Sequence, residues 1–228
     1  MARGFRRRAR RGEVRYAARL DGLERSVLVG LLTQVLDLLD PDRVLRENGS
    51  ASARSSTRVC APGDPTPDTF EDIVAGLGDL AGDAAERPIP EDARSFGDRD
   101  PALQRLLPSG NRVDEQAAAE FRRLTEDGLR ARKVDNLTRA LIALRRPGTT
   151  LEVEEQDAQA FLVALTDVRL VLGERLSLRD DDDIERLERA ADRLPEEHPL
   201  VHALLVYDFL TWLQETLAGA LLSGTSNS

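Results

Sequence analysis

The chain has 228 residues, room for one domain or two small ones, with 41% hydrophobic, 32% charged and only 4% aromatic residues. One Cys rules out an internal disulfide, a Cys-based zinc site and an iron–sulfur cluster, and two His leave too few ligands for a multi-His metal site. So few aromatics supply no stacking platform for single-stranded nucleic acid.

The net charge of −9 is unevenly spread. Residues 1–20 hold eight Arg and one Glu, net +7, so the remainder carries −16. A basic arm on an acidic body points to an anion, a nucleic acid or an acidic protein face, with Arg6, Arg7, Arg8, Arg10 and Arg11 as the contact residues. The alternative is self-complementation, with the arm docked on its own acidic body. Lys133 is the single lysine among 32 basic residues.

The start reads as a β-hairpin. Val14, Tyr16, Ala18 and Leu20 alternate with Arg15, Ala17 and Arg19, Phe5 lies in the partner strand, and Arg10–Arg11–Gly12 sits near the turn. Two strands alone are marginal, so the ribbon should pack on helices. Asp21 with Glu24 forms a capping-box pattern, and Leu23, Val27, Leu28, Leu31, Leu32, Val35 and Leu39 follow at helical spacing until Asp40-Pro41.

Residues 46–68 and 81–99 read as flexible loops separated by a short helix over 69–80 with Phe70, Ile73, Val74 and Leu77 on one face. Cys60 lies in the first loop, either an incidental residue or a weak redox candidate. Asp100-Pro101 caps a short helix through Leu106. Asp114 caps a helix to Arg145, about 46 Å long if straight, in which Gly128 marks a kink or close packing. Residues 149–153 form a short extended segment.

A helix from Glu155 to Leu176 follows, with Phe161, Leu165, Val168, Leu172 and Leu176 in steps of four and three. The run Asp180 to Asp183 lacks the spaced ligands of an EF-hand loop and reads as the acidic start of a helix near 184–194. Pro199 opens the last helix, to Leu222, which is apolar nearly all round and is expected to be central. His202 on that helix reads as a packing residue, and residues 223–228 as a disordered tail.

The predicted fold is mainly α, a single-domain helical bundle over 1–228 with a small N-terminal β-hairpin. No signal-peptide pattern follows the Arg cluster, and residues 199–222 contain His202, Asp208, Gln214 and Glu215, too polar for a lipid-facing span. The expected location is the cytoplasm, without membrane contact. No phosphate-binding loop, dinucleotide glycine pattern, nucleophile elbow or paired-His helix is present, so no cofactor, metal or catalytic residue is expected.

Asp167 and Arg169 interrupt an apolar helix and point about 200° apart, so they do not pair with each other. If buried, each needs a partner from elsewhere, and Asp208 and Arg122 are the candidates for a structural polar network. An enzyme site centred on Asp167, Arg169 and Asp208 is the rival reading.

Four segments together carry a resemblance: Asp-Pro-Ala-Leu-Gln-Arg-Leu-Leu-Pro at 100–108, Ala-Glu-Phe-Arg-Arg-Leu-Thr at 119–125, Leu-Thr-Asp-Val-Arg-Leu-Val-Leu-Gly-Glu-Arg-Leu at 165–176, and Val-Tyr-Asp-Phe-Leu-Thr-Trp-Leu-Gln-Glu-Thr-Leu at 206–217. In this order the chain resembles the AosR-like actinobacterial family of domains of unknown function, whose regulator members respond to oxidative stress. The resemblance implies no active site or cofactor. It implies a transcription-linked, redox-responsive role through protein contacts with the transcription machinery, such as a sigma factor. The family's redox role is tied to a Cys-x-x-x-Cys pair. Here Ser56 and Asp64 stand four residues either side of Cys60, so switching by an internal disulfide does not carry over.

The resemblance therefore implies a non-enzymatic regulatory or adaptor protein linked to transcription and stress response. Direct nucleic-acid binding by the Arg arm is the alternative.

Overall fold

The computed structural model describes residues 2–10, 13–43, 100–108 and 115–225. The expected loops at 46–68 and 81–99, the helix at 69–80, Cys60 and Arg11 lie outside the described residues. About 70% of the described residues are helical, and a small antiparallel sheet sits at the N-terminus, so the fold is mainly α as expected.

The hairpin is present as β1 (Arg3–Arg10) and β2 (Glu13–Arg19). It is completed by β3 (Thr150–Val153), which pairs with the inner edge of β2 to give the order β1-β2-β3. Tyr16 faces Val153 and Ala18 faces Leu151 across that pairing. All four are buried, so the third strand supplies the apolar surface a lone hairpin lacks. Ala17 departs from the expected alternation. It lies on the opposite side of the strand yet is buried, between the longer side chains of its cross-strand neighbours Arg6 and Glu152.

The helices begin where local chemistry dictates. Before α1 (Gly22–Leu39), Asp21 accepts from the Glu24 N–H while Glu24 accepts from the Asp21 N–H, the full capping box. The Asp100 side chain accepts from the Ala102 N–H, with Pro101 opening α2 (Pro101–Leu106). The long helix α3 (Glu115–Leu144) follows, then α4 (Glu155–Arg175). A second capping box, Asp180 with Asp183, starts α5 (Asp181–Ala191), so the acidic run begins a helix, three residues earlier than the spacing suggested. His198 accepts from the Leu200 N–H at the start of α6 (Pro199–Thr225), which carries residues 223–225 of the expected tail into the helix.

The central element is α4, not the last helix. It packs against α1, α2, α3, α6 and β2, and buries Phe161, Leu165, Val168 and Leu172. The last helix, α6, touches α4, α5, β1 and β2 but leaves Leu205 60% and Leu222 66% exposed. An all-round apolar composition therefore did not make it the core. Its inner face, with Ala203, Leu210, Leu213 and Leu217, is enough for one layer of packing.

Gly128 on α3 is exposed, and a Cβ there would meet nothing within 4 Å, so close packing is not its role. Gly128→Ala should raise stability by about 0.5–1 kcal/mol, read as a higher urea midpoint at unchanged m-value.

Candidate functional site

Asp167 lies on the inner side of α4, with only 1% of its surface exposed. Its Oδ1 accepts from the Nζ of Lys133 on α3 at 2.5 Å, and its Oδ2 is buried with no hydrogen-bond partner among the described residues. Lys133 is itself mostly covered, its side chain 13% exposed. Arg122, the partner expected from the sequence, belongs to the same helix. Positions 122 and 133 fall on one face, eleven residues and three turns apart. Periodicity thus pointed to the face but not to the level. The available signal was that Lys133 is the single lysine, a compact ammonium where every other basic residue is an Arg.

Burial pushes the Asp167 carboxyl above its ordinary value, and the hydrogen bond and charge of Lys133 pull it back only in part. A folded-state pKa above the unfolded one means the group's contribution to stability is fullest below the ordinary carboxylate range. That contribution is lost as pH rises through the folded value. The stability of the native protein relative to Asp167→Asn should therefore fall between acid and neutral pH, checked by urea melts of both proteins across that range. A difference that grows with pH would contradict a raised carboxyl.

Arg169 points the other way, into the seam between α4 and α6. Its Nη1 donates to Gln214 Oε1 at 2.9 Å and its Nη2 to the Tyr207 hydroxyl at 3.4 Å, while the guanidinium lies 5.1 Å from the Tyr207 ring centre. Gln214 in turn donates to the Thr166 hydroxyl at 3.1 Å. These partners are neutral. Asp208, the expected counter-charge, is exposed on α6. Asp167, Arg169 and Asp208 therefore face three different surroundings and do not converge on one centre. The side chain of Arg122 lies outside the described residues.

The basic arm is an ordered edge strand. Arg6, Arg7 and Arg8 are exposed on β1, which also contains Arg10. Self-complementation is local and partial. Arg8 approaches Glu152 at 3.8 Å, and Arg15 pairs with Glu13 at 3.2 Å and with Glu154 at 2.6 Å. These carboxylates come from the sheet and the residue that follows β3, not from the acidic helices. Arg3, Arg6, Arg7 and Arg19 form no ion pair among the described residues.

Two further features bear on chemistry. Asp183 sits below its ordinary carboxyl range, held first by the Arg179 N–H and then by Arg186. Among the described residues no group of three or more His, Cys, Asp or Glu is disposed to hold a metal ion, and no helix is long and apolar enough to cross a membrane.

No solved structure matches the chain. Over 136 residues it is 34% identical to proteins named oxidative stress regulator AosR from Mycobacterium bovis and Mycobacterium tuberculosis. The alignment covers 54% of this chain and 59% of each relative, so the chain spans about three-fifths of the length of the curated relatives it matches. The model of a family described as a domain of unknown function, DUF2017, matches residues 2–221. With the match running from the first strand into the last helix, the chain belongs to the DUF2017 family.

Proposed function

We propose that this chain is a non-enzymatic regulatory or adaptor protein of the oxidative stress response, acting through protein contacts with the transcription machinery. The observation that carries the reading is its 34% identity to mycobacterial proteins named oxidative stress regulators. The dispersal of Asp167, Arg169 and Asp208 supports it, because an acid–base or nucleophilic centre needs such groups within hydrogen-bond reach of one reacting atom. One cysteine in the chain cannot close an internal disulfide, so the oxidant signal reaches this protein by another route, such as a mixed disulfide at Cys60 or a change in its partner.

Transcript profiling before and after peroxide exposure tests the reading. Cells lacking the gene should lose the induction of a defined gene set, and the native chain should restore it. In-cell crosslinking should recover a component of the transcription machinery. Unchanged transcripts in the deletion strain would overturn the regulatory reading. Crosslinks confined to proteins outside transcription would overturn the partner.

A further inference from the structure

Cross-strand neighbours share a face of a sheet. The β1–β2 register sets Arg3 opposite Arg19, Arg6 opposite Ala17 and Arg8 opposite Arg15, and the β2–β3 register adds Thr150 and Glu152 to the same outer face. That face therefore contains two directly opposed arginine pairs. Like charges directly opposite destabilise a sheet, and the two pairs differ in how this is relieved. Arg8 and Arg15 have Glu13, Glu152 and Glu154 around them. Arg3 and Arg19 are exposed and have no carboxylate partner among the described residues, and neither has Arg6 beside them. The second pair retains its repulsion in the free protein, and an external anion would relieve it.

The shape of the sheet adds to this. β3 pairs with residues 16–19, so Arg3, Arg6 and Arg19 stand on the three-stranded part of the sheet, whose other face is buried in the core, and the hairpin beyond Tyr16 carries Arg8 and Arg15 with their carboxylates. Arg7 is exposed on the opposite side, with Tyr16, and is not part of that outer face.

The composition of the face separates nucleic acid from an acidic protein. Protein interfaces depend on buried aromatic or aliphatic anchors. No large exposed apolar side chain occurs on this sheet among the described residues; those present are on the helices, such as Leu124, Leu170 and Leu205. Phosphate contacts need no such anchor, because guanidinium forks and phosphate oxygens supply the bonding. The acidic remainder of the chain, net −16, confines a polyanion to this one basic face.

We propose that the outer face of this sheet is a duplex nucleic-acid contact, in which Arg3, Arg6 and Arg19 bind backbone phosphates. With three phosphates neutralised, the contact is weak, salt-sensitive and without direct sequence readout. It goes beyond the regulatory reading and stands apart from it, since it concerns what this surface binds and not what responds to oxidant.

The test is fluorescence anisotropy of the full chain with a labelled random-sequence duplex between 50 and 200 mM salt. Three phosphate contacts give a log–log slope of about −2.7, a loss of about 40-fold in affinity over that range. In the triple variant Arg3→Gln, Arg6→Gln, Arg19→Gln the slope should shrink by about 2.7. A helical far-UV spectrum checks that the variant is folded. Arg6→Gln alone, outside the opposed pair, should shrink the slope by about 0.9 and serves if the triple variant is unfolded. A Glu-rich peptide should not compete with the duplex. Absence of binding at 50 mM salt, a slope unmoved by these changes, or preferential capture of the Glu-rich peptide would each overturn the proposal, the last in favour of an acidic protein partner.

Discussion

Asp167→Ala should cost about 3–5 kcal/mol of stability, because it strips the counter-charge from Lys133 where little water reaches it. The loss should come from the stranded charge more than from the missing contact. Replacing both partners by apolar residues, as in Asp167→Leu with Lys133→Met, should recover most of the stability or exceed the native value, since buried pairs repay their desolvation poorly. Asp167 Oδ2 has no hydrogen-bond partner among the described residues, which favours that recovery. Urea melts of the native protein, Asp167→Leu, Lys133→Met and the double variant form a double-mutant cycle with a coupling energy of about 2–3 kcal/mol. A midpoint barely moved by Asp167→Ala, together with lost biological activity, would instead make Asp167 a functional residue.

Phe5→Ala should be comparably damaging, at about 3–5 kcal/mol. Phe5 is 4% exposed and meets the central helix edge-on, its ring 5.7 Å from that of Phe161 at 61°. Its N–H donates to the Thr216 hydroxyl on α6 at 3.1 Å, and that hydroxyl donates to the Leu213 carbonyl at 2.9 Å. One residue thus ties the edge strand to both α4 and α6. The approach is close enough that a Cβ on neighbouring Gly4 would stand 2.5–2.8 Å from Thr216, so position 4 has no room for a side chain. Leu23→Ala is the contrasting control. Leu23 sits on the same kind of apolar period but is 76% exposed, and its loss should shift stability by no more than about 0.5 kcal/mol. Thermal or urea melts of the two variants separate these cases directly.

These residues also mark the limit of what could be read from the chain alone. Helix starts were legible where capping is settled within four residues, at Asp21 with Glu24, Asp100 with Pro101, and Pro199, whereas the box of Asp180 with Asp183 starts its helix three residues before the expected 184. The hairpin and the buried stripe of α4 were legible because alternation and three-four spacing report which face meets the core. Leu23 and α6 expose the weakness of that signal. An apolar side chain states a preference for burial, and the neighbours decide whether there is anything to be buried against.

The misplaced side-chain partners depend on contacts between residues far apart in sequence. The third strand joins β2 across more than 130 residues, and only then are Tyr16 and Ala18 covered. Asp167 meets Lys133 because α3 and α4 pack side by side, at a level set by the loop and strand between them, whereas helical periodicity repeats every turn and so left position 122 as good as 133. The charge of the N-terminal arm was plain in the sequence. Which of its arginines are neutralised at home, and which face outward unpaired, was decided by the strand register, because only the register brings Glu152 and Glu154 to Arg8 and Arg15 and leaves Arg3 opposite Arg19.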